Sequence, residues 1–130
     1  MAARSPLRSY DEIQEMTSMW DIGASGAHTK TANVPGTGFT SVARTAAGKY
    51  TVTFAKTNPI GPLVQLVLTY WGVADAAALD LRATTATYTA ETSAAAATVK
   101  YESWDLATPS QAELANGSQV SITARFLKTR

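Results

Sequence analysis

The sequence predicts an all-β domain, either a β-sandwich or a small barrel, that follows an N-terminal arm. From residue 38 onward, polar and apolar side chains alternate with the period of two that is expected of strands with one buried face. Six or seven such segments follow one another, separated by short turns rich in Gly, Pro, Asn and Ala. The chain has 130 residues, which is enough for one domain with a single core.

The first 37 residues have a different pattern, and for them we predict an arm rather than a part of the domain. Ser9 and Glu12 form a capping box, so we expect a short helix over about residues 10–20. The apolar stripe of this helix consists of Tyr10, Ile13, Met16 and Trp20. So short a helix is marginal alone and must dock its stripe on something. The Gly-, Ala- and Thr-rich stretch behind it is typical of an extended linker. The predicted boundaries are therefore 1–37 for the arm and 38–130 for the sandwich domain.

The first predicted hairpin of the domain consists of Phe39–Thr45 and Lys49–Ala55. The second of these segments alternates polar and apolar residues without a break. Gly48 lies where the intervening turn requires a residue that adopts positive φ freely. The prolines within Asn58–Pro62 end the second strand, because proline cannot donate a hydrogen bond to a neighbouring strand.

The remaining segments are predicted to complete the sandwich. Leu63–Trp71 is apolar on both faces apart from two polar residues, so we expect it in the middle of a sheet or covered on both faces. Residues 72–81 fit either a helix or a loop, and residues 107–117 are predicted to contain a single helical turn. Three more segments alternate and are predicted strands: Thr84–Thr92, Thr98–Ser103 and Ser118–Lys128.

Composition excludes several classes of function. Charged residues make up 16% of the chain, below the usual quarter. This is typical of proteins that are assembled with others, and equally of strands whose exposed faces carry Ser and Thr. The net charge of +1 gives no bulk attraction to nucleic acid or to an anionic membrane. The start has no signal-peptide pattern and no run approaches ~20 apolar residues, so we expect no passage through a membrane by the general secretory route.

Side chains that could carry out chemistry are few. The chain has no cysteine and one histidine, His28, which lies in the Gly-rich linker and is expected to be exposed and incidental. Asp75 and Asp80 match no metal-ligand spacing. Glu102 and Asp105 are close in sequence, but Glu102 is on the outward face of its predicted strand. We therefore predict that the chain is not an enzyme and has no cofactor and no metal.

The tryptophans raise the possibility of a binding surface. Trp71 ends a very apolar strand and is expected in the core, whereas Trp104 falls on the polar face of its strand. An exposed tryptophan suits either a sugar-binding platform or a subunit interface. Basic residues do not alternate with aromatic ones in the strands, which argues against nucleic acid as a partner.

One alternating pattern resembles a known group of proteins. It comprises Val42, Arg44, Gly48, Tyr50, Val52 and Phe54. With the polar arm, the long apolar strand and the final strand, it makes residues 38–128 similar to the head decoration, or capsid cement, proteins of tailed bacteriophages. The same hairpin pattern occurs in tail and fibre domains and in trimeric C1q-like jelly rolls.

The resemblance implies a jelly-roll type of β-sandwich and a mechanical function. Such proteins are structural virion proteins, usually homotrimers, that bind the outer surface of the phage head and stabilise contacts between major capsid protein subunits. They assemble in the host cytoplasm. An N-terminal arm commonly completes the contact, so Tyr10, Ile13, Met16 and Trp20 are the predicted residues that bind the capsid or a neighbouring subunit. The alternative is that the predicted helix folds back onto its own sandwich. Two other functions stay open, a phage tail or fibre β-domain and a carbohydrate-binding β-sandwich module.

Overall fold

A computed structural model describes residues 13–34, 36–56, 60–73, 79–83 and 85–128. These ranges contain nine strands: β1 (Ile13–Ile22), β2 (His28–Lys30), β3 (Phe39–Ala46), β4 (Lys49–Phe54), β5 (Ile60–Trp71), β6 (Leu79–Ala83), β7 (Thr98–Asp105), β8 (Ser110–Gln111) and β9 (Gln119–Lys128). Two three-residue 3-10 turns lie at Ala24–Gly26 and Thr85–Thr87. Within the described ranges, no helix has the length and apolar character needed to cross a bilayer.

The strands form two antiparallel sheets. Sheet A has the order β2-β1-β9-β5, and sheet B has the order β3-β4-β7-β6, with the short β8 beside the end of β7. The chain passes from sheet B to sheet A between β4 and β5, and returns to sheet B at β6. Side chains from both sheets form one hydrophobic core, in which the rings of Phe54 and Phe126 meet edge to face at 5.0 Å. The predicted all-β sandwich is thus confirmed.

Alternation determines which face of β4 and β9 is buried. In β4, the alternate residues Tyr50, Val52 and Phe54 are buried, as predicted. In β9, the buried residues are Val120, Ile122, Ala124 and Phe126, which are the apolar side of the alternation predicted for Ser118–Lys128. Gly48 adopts a φ of +71° in the turn between β3 and β4, which confirms the expected need for positive φ there.

The predicted helix in the arm is wrong where the structure describes it, because residues 13–22 form the strand β1. This strand pairs with β9 along its length, from Ile13 opposite Leu127 to Asp21 opposite Gln119. The residues of β1 that face the core are spaced by two: Met16, Ser18, Trp20 and Ile22. A short helix keeps only its own hydrogen bonds, whereas a central strand is bonded on both sides and buries every second side chain.

Two of the four predicted partner-binding residues are therefore core residues of the chain itself. Trp20 is only 2% exposed and Met16 is also buried, which is a correction to their assignment as anchors on a partner. The leading segment does pack on its own sandwich, but as part of sheet A rather than as a docked helix. Ile13 is half-buried at the start of β1, and its contact with a partner stays a prediction. Tyr10 lies outside the described residues.

Three further expectations differ from the structure. β5 is at the edge of sheet A rather than in the middle of a sheet, and Trp71, expected in the core, is 55% exposed. The segment predicted as a strand around Tyr88 contains a 3-10 turn and a single bridge between Thr89 and Thr98. Residues 107–117 contain β8 instead of a helical turn. Around Tyr88 and in residues 107–117, the side-chain pattern is compatible with either a strand or a turn, and pairing with a neighbouring strand decides between them. For β5, the pattern does not specify the position of the strand within the sheet.

The place of Trp20 in the core leads to a stability prediction. Replacing Trp20 by Ala should lower the free energy of unfolding of the isolated chain by about 3–5 kcal/mol, because it leaves a large cavity between the sheets. Urea denaturation measures this loss. The matched control is Met19→Ala on the outer face of the same strand, which should change stability by less than about 1 kcal/mol. Equal stability of the two variants would contradict the packing of β1.

Candidate functional site

His28 is held at both nitrogens of its ring. Nδ1 lies 2.8 Å from the carbonyl oxygen of Gly26, and Nε2 makes a short hydrogen bond with the hydroxyl of Tyr101. Because a carbonyl can only accept, Nδ1 carries the proton, and Nε2 of the neutral ring accepts from Tyr101. The expectation of an exposed, incidental histidine is wrong, since pairing of β2 with β1 turns this ring inward over sheet B.

Aromatic rings surround the imidazole of His28. Its centroid lies 4.8 Å from the ring of Tyr50, 6.0 Å from that of Tyr101 and 6.5 Å from that of Trp20. Burial lowers the pKa of His28 to about 4, although the Gly26 carbonyl and the charge of Glu113 act in the opposite direction. The ring is therefore neutral at neutral pH.

Glu113 extends this network to the edge of sheet B. Its Oε1 accepts a hydrogen bond of 2.5 Å from the Tyr50 hydroxyl, and its Oε2 accepts one of 2.6 Å from Nε of Arg44. The Tyr50 oxygen in turn accepts from the backbone N–H of Leu114 at 3.2 Å. Burial opposes ionisation of Glu113, but hydrogen bonds from Tyr50, Arg44 and Gly48 outweigh it and lower the pKa of the carboxyl. Burial and the bond to Glu113 raise the pKa of Tyr50 to about 12.

A glycine is required for this close approach. Gly26 has a φ of +73°, and a Cβ there would lie 2.9 Å from the hydroxyl oxygen of Tyr50 and also against the Glu113 carboxylate. The linker glycine at this position thus serves the contact between the two sheets.

We call this group the His28 cluster; its members are His28, Arg44, Tyr50, Tyr101 and Glu113. It connects β2 of sheet A with β3, β4 and β7 of sheet B and with the loop that follows β8. Both tyrosines are 1% exposed, and both nitrogens of His28 are hydrogen-bonded. A general base must reach the proton that it removes. In the His28 cluster both ring nitrogens are already bonded within the protein, so the geometry favours a structural role, in which the cluster ties the two sheets together. Alternation along their strands predicts that Tyr50 and Tyr101 face the core, whereas no local sequence pattern indicates that His28 or Glu113 belongs to the cluster.

The surroundings of Trp104 bear on the carbohydrate alternative. The guanidinium of Arg82 lies over one face of the indole ring at 5.3 Å, and the indole N–H donates to Glu102 at 3.0 Å. Arg82 also pairs with Asp80 at 2.9 Å. A surface pocket of about 270 Å³ lies beside them, lined in part by Lys100. A sugar that stacked on this face would have to displace Arg82, so the geometry does not favour the alternative.

The outer face of β5 is an apolar, uncharged surface. Its exposed residues form what we call the β5 surface: Val64, Gln65, Val67, Thr69 and Trp71. Val67 is 37% and Trp71 55% exposed. Among the described strands, β5 pairs with β9 only, so its other side presents unpaired backbone groups. No residue of β5 carries a charge.

The outer face of sheet A continues this uncharged character beyond β5. Thr17 on β1 and Thr123 on β9 are joined side chain to side chain at 3.2 Å, and Val67 lies beside Thr123. Near β5 the charges on this face are neutralised locally, since Arg125 donates to Glu15 at 2.6 Å and also to Gln65. Asp21, at the other end of β1, is a carboxylate that accepts hydrogen bonds from the neutral side chains of Thr31 and Gln119. The part of the face around β5 can therefore be buried against a partner with little cost of desolvating free charges.

No group of three or more His, Asp or Glu that could hold a metal ion occurs in the part of the chain that the structure describes. Asp75, considered above as a ligand, lies outside that part. Comparisons with protein-family models, with curated proteins and with solved structures found no match for the chain.

The bond between Tyr50 and Glu113 can be tested by removing one hydroxyl. Tyr50→Phe should lower the free energy of unfolding by about 1–3 kcal/mol, because the Leu114 N–H and the carboxylate each lose a partner near the core. Thermal or urea unfolding at neutral pH measures the loss. Tyr88→Phe is the control, since the Tyr88 hydroxyl makes no hydrogen bond with the described residues, and it should leave stability nearly unchanged. A Tyr50 variant as stable as the control would contradict the role of the cluster as a tie.

Proposed function

We propose that the chain is a structural assembly protein, and specifically a capsid decoration protein that binds the outside of a phage head. The observation that carries the proposal is the β5 surface, a long edge strand with exposed valine and tryptophan side chains and no charge. Natural sheets usually protect such edges with charged residues, prolines or a covering segment. An edge left apolar and uncharged over residues 66–71 suits contact with another polypeptide.

The contact surface in this proposal differs from the one expected from the sequence. Met16 and Trp20 are core residues, so the contact moves from the N-terminal segment to the β5 surface. Ile13, at the end of β1, and Tyr10 remain available to the proposal as peripheral contacts. The proposed partners are the major capsid protein and sister subunits of a homotrimer, on the outer surface of the virion.

The path of the chain supports the finer description as a jelly roll. β4, β5 and β6 alternate between the two sheets, and β9 lies between β1 and β5 in sheet A. β7 lies between β4 and β6 in sheet B, and this order supports a path in which strand pairs wind around the sandwich. The proposed jelly roll is the topology that the resemblance to decoration proteins implies.

A charge placed on the β5 surface tests the proposal. Val67→Lys should leave the sandwich folded, because the side chain points outward, but should abolish the trimer and reduce binding to heads at least about tenfold. Light scattering measures the mass of the isolated chain, and cosedimentation with heads that lack it measures binding.

The matched control places the same charge on another edge strand. Ala43→Lys lies on the exposed outer face of β3, at the edge of sheet B, and should retain assembly and binding. If the Val67 variant binds heads as well as the control, the β5 surface is not the contact. If the unaltered chain cosediments with tails in a few copies rather than with heads in hundreds, a tail or fibre domain replaces the decoration protein.

A further inference from the structure

β2 is attached to the rest of the molecule by a short run of backbone pairing and by side chains. It has three residues, lies at the edge of sheet A and pairs only with Trp20–Ile22 of β1 in the described structure. So short an edge strand gains little from backbone pairing alone. Its position therefore depends on the groups that join it to its neighbours.

Three side-chain contacts hold β2 and the residue that follows it. Nζ of Lys30 donates to the carbonyl oxygen of Phe39 at 2.6 Å, and Thr31 donates to Asp21 at 2.8 Å. The third is His28, whose ring connects Gly26 of the 3-10 turn with Tyr101 of β7. Of these groups, His28 is the one whose ordinary pKa lies within the range from pH 5 to 8.

We propose that His28 is a pH-dependent latch: its neutral ring fastens β2 to sheet B, and its protonation detaches β2 and the Ala24–Gly26 turn while the rest of the sandwich stays folded. The neutral ring is the form that fits, because Nε2 accepts the hydroxyl hydrogen of Tyr101. A protonated ring directs a second N–H at that hydroxyl and places a charge among three aromatic rings.

The charged groups near the His28 ring do not offset the cost of protonating it. Glu113, from the loop after β8, is the acid that faces His28, and its oxygens are already bonded to Tyr50 and Arg44. Arg44 on β3 offsets its charge at 2.6 Å. The groups presented by β4 and β7 are the neutral hydroxyls of Tyr50 and Tyr101, while β2 adds a second cation, Lys30.

The direction of the effect follows from linkage. Burial holds the pKa of His28 at about 4 while β2 is attached, against an ordinary value of 6.5 when the ring is released. The released state therefore binds the proton more readily between these values, so attachment is fully stable above pH 6.5 and weakens as the pH falls towards 4. Each pH unit within this window favours release by up to about tenfold.

An NMR titration of the full chain tests the latch. The chain has one histidine, so its ring signals are assigned without ambiguity. We expect His28 to titrate with a midpoint between about 4 and 5.5, and the amides of residues 22–31 to change with the same midpoint, while those of β4 and β9 stay constant. A midpoint at 6.5, unchanged amides in β2, or simultaneous loss of the β4 and β9 signals would each overturn the proposal.

Two variants separate a latch from a merely structural histidine. Tyr101→Phe removes the hydroxyl that stabilises the neutral ring and should raise the midpoint by about one pH unit, whereas Tyr70→Phe, its matched control, should not move it.

His28→Gln stays neutral at every pH and should abolish the change in the β2 amides. If these amides still respond to acid in the His28 variant, or if the Tyr101 and Tyr70 variants titrate alike, the latch is wrong. None of these readouts depends on the proposed function in a virion.

Discussion

The pairing of β1 with β9 sets the positions of the other strands of sheet A. It joins the first described strand to the last in the middle of sheet A and buries Trp20 and Ile122 together. Since β1 takes one side of β9, β5 takes the other side and becomes an edge strand. Since β9 takes one side of β1, the opposite side is left for β2, which carries His28 over sheet B. The β5 surface and the His28 cluster are therefore both consequences of this pairing.

The buried polar groups of Ser18, Trp20 and Ser103 are tolerated because each has a hydrogen-bond partner. The indole N–H of Trp20 donates to the buried hydroxyl of Ser18 at 2.7 Å, two residues earlier on the same strand. The hydroxyl of Ser103 donates to the carbonyl oxygen of Ala112, which fixes the loop that carries Glu113. These two bonds lie within sheet A and within sheet B, and the bond of His28 with Tyr101 joins the sheets. A partnered polar contact of that kind specifies one relative position of the two sheets, whereas an apolar core alone allows several.

The two halves of β5 differ in how well the open edge of the sheet is protected from further pairing. Pro62 lies near its start, where a residue without an N–H is tolerated because an edge strand needs no donor on its open side. A register shift follows between Leu63 and Gln65, of the kind that twists an edge away from further pairing. From residue 66 onward the pairing with β9 is regular and the outer side chains are neutral. In the proposed assembly, contact with another polypeptide falls on the second half of the strand.

Unbroken alternation in the amino-acid sequence is sufficient to predict which side chains of a strand face inward. The inward sets of β4 and β9 were predictable, because the period of two reports the two environments of a strand directly. Sheet formation as such was predictable for the same reason. At the site, the inward parity of Tyr50 and Tyr101 is sufficient to assign both rings to the core.

Which strands are neighbours follows from the packing of the whole chain and could not be predicted from local patterns. The spacing of Ile13, Met16 and Trp20 fits a helical face. The segment is nevertheless a strand, because its backbone groups pair with those of β9. The apolar composition of β5 indicated a central strand, but sheet order placed it at the edge. His28 and Glu113 are 85 positions apart, and their approach depends on the β2 and β8 connections. Periodicity reports the environment of a single strand and contains no information about which strand lies beside it.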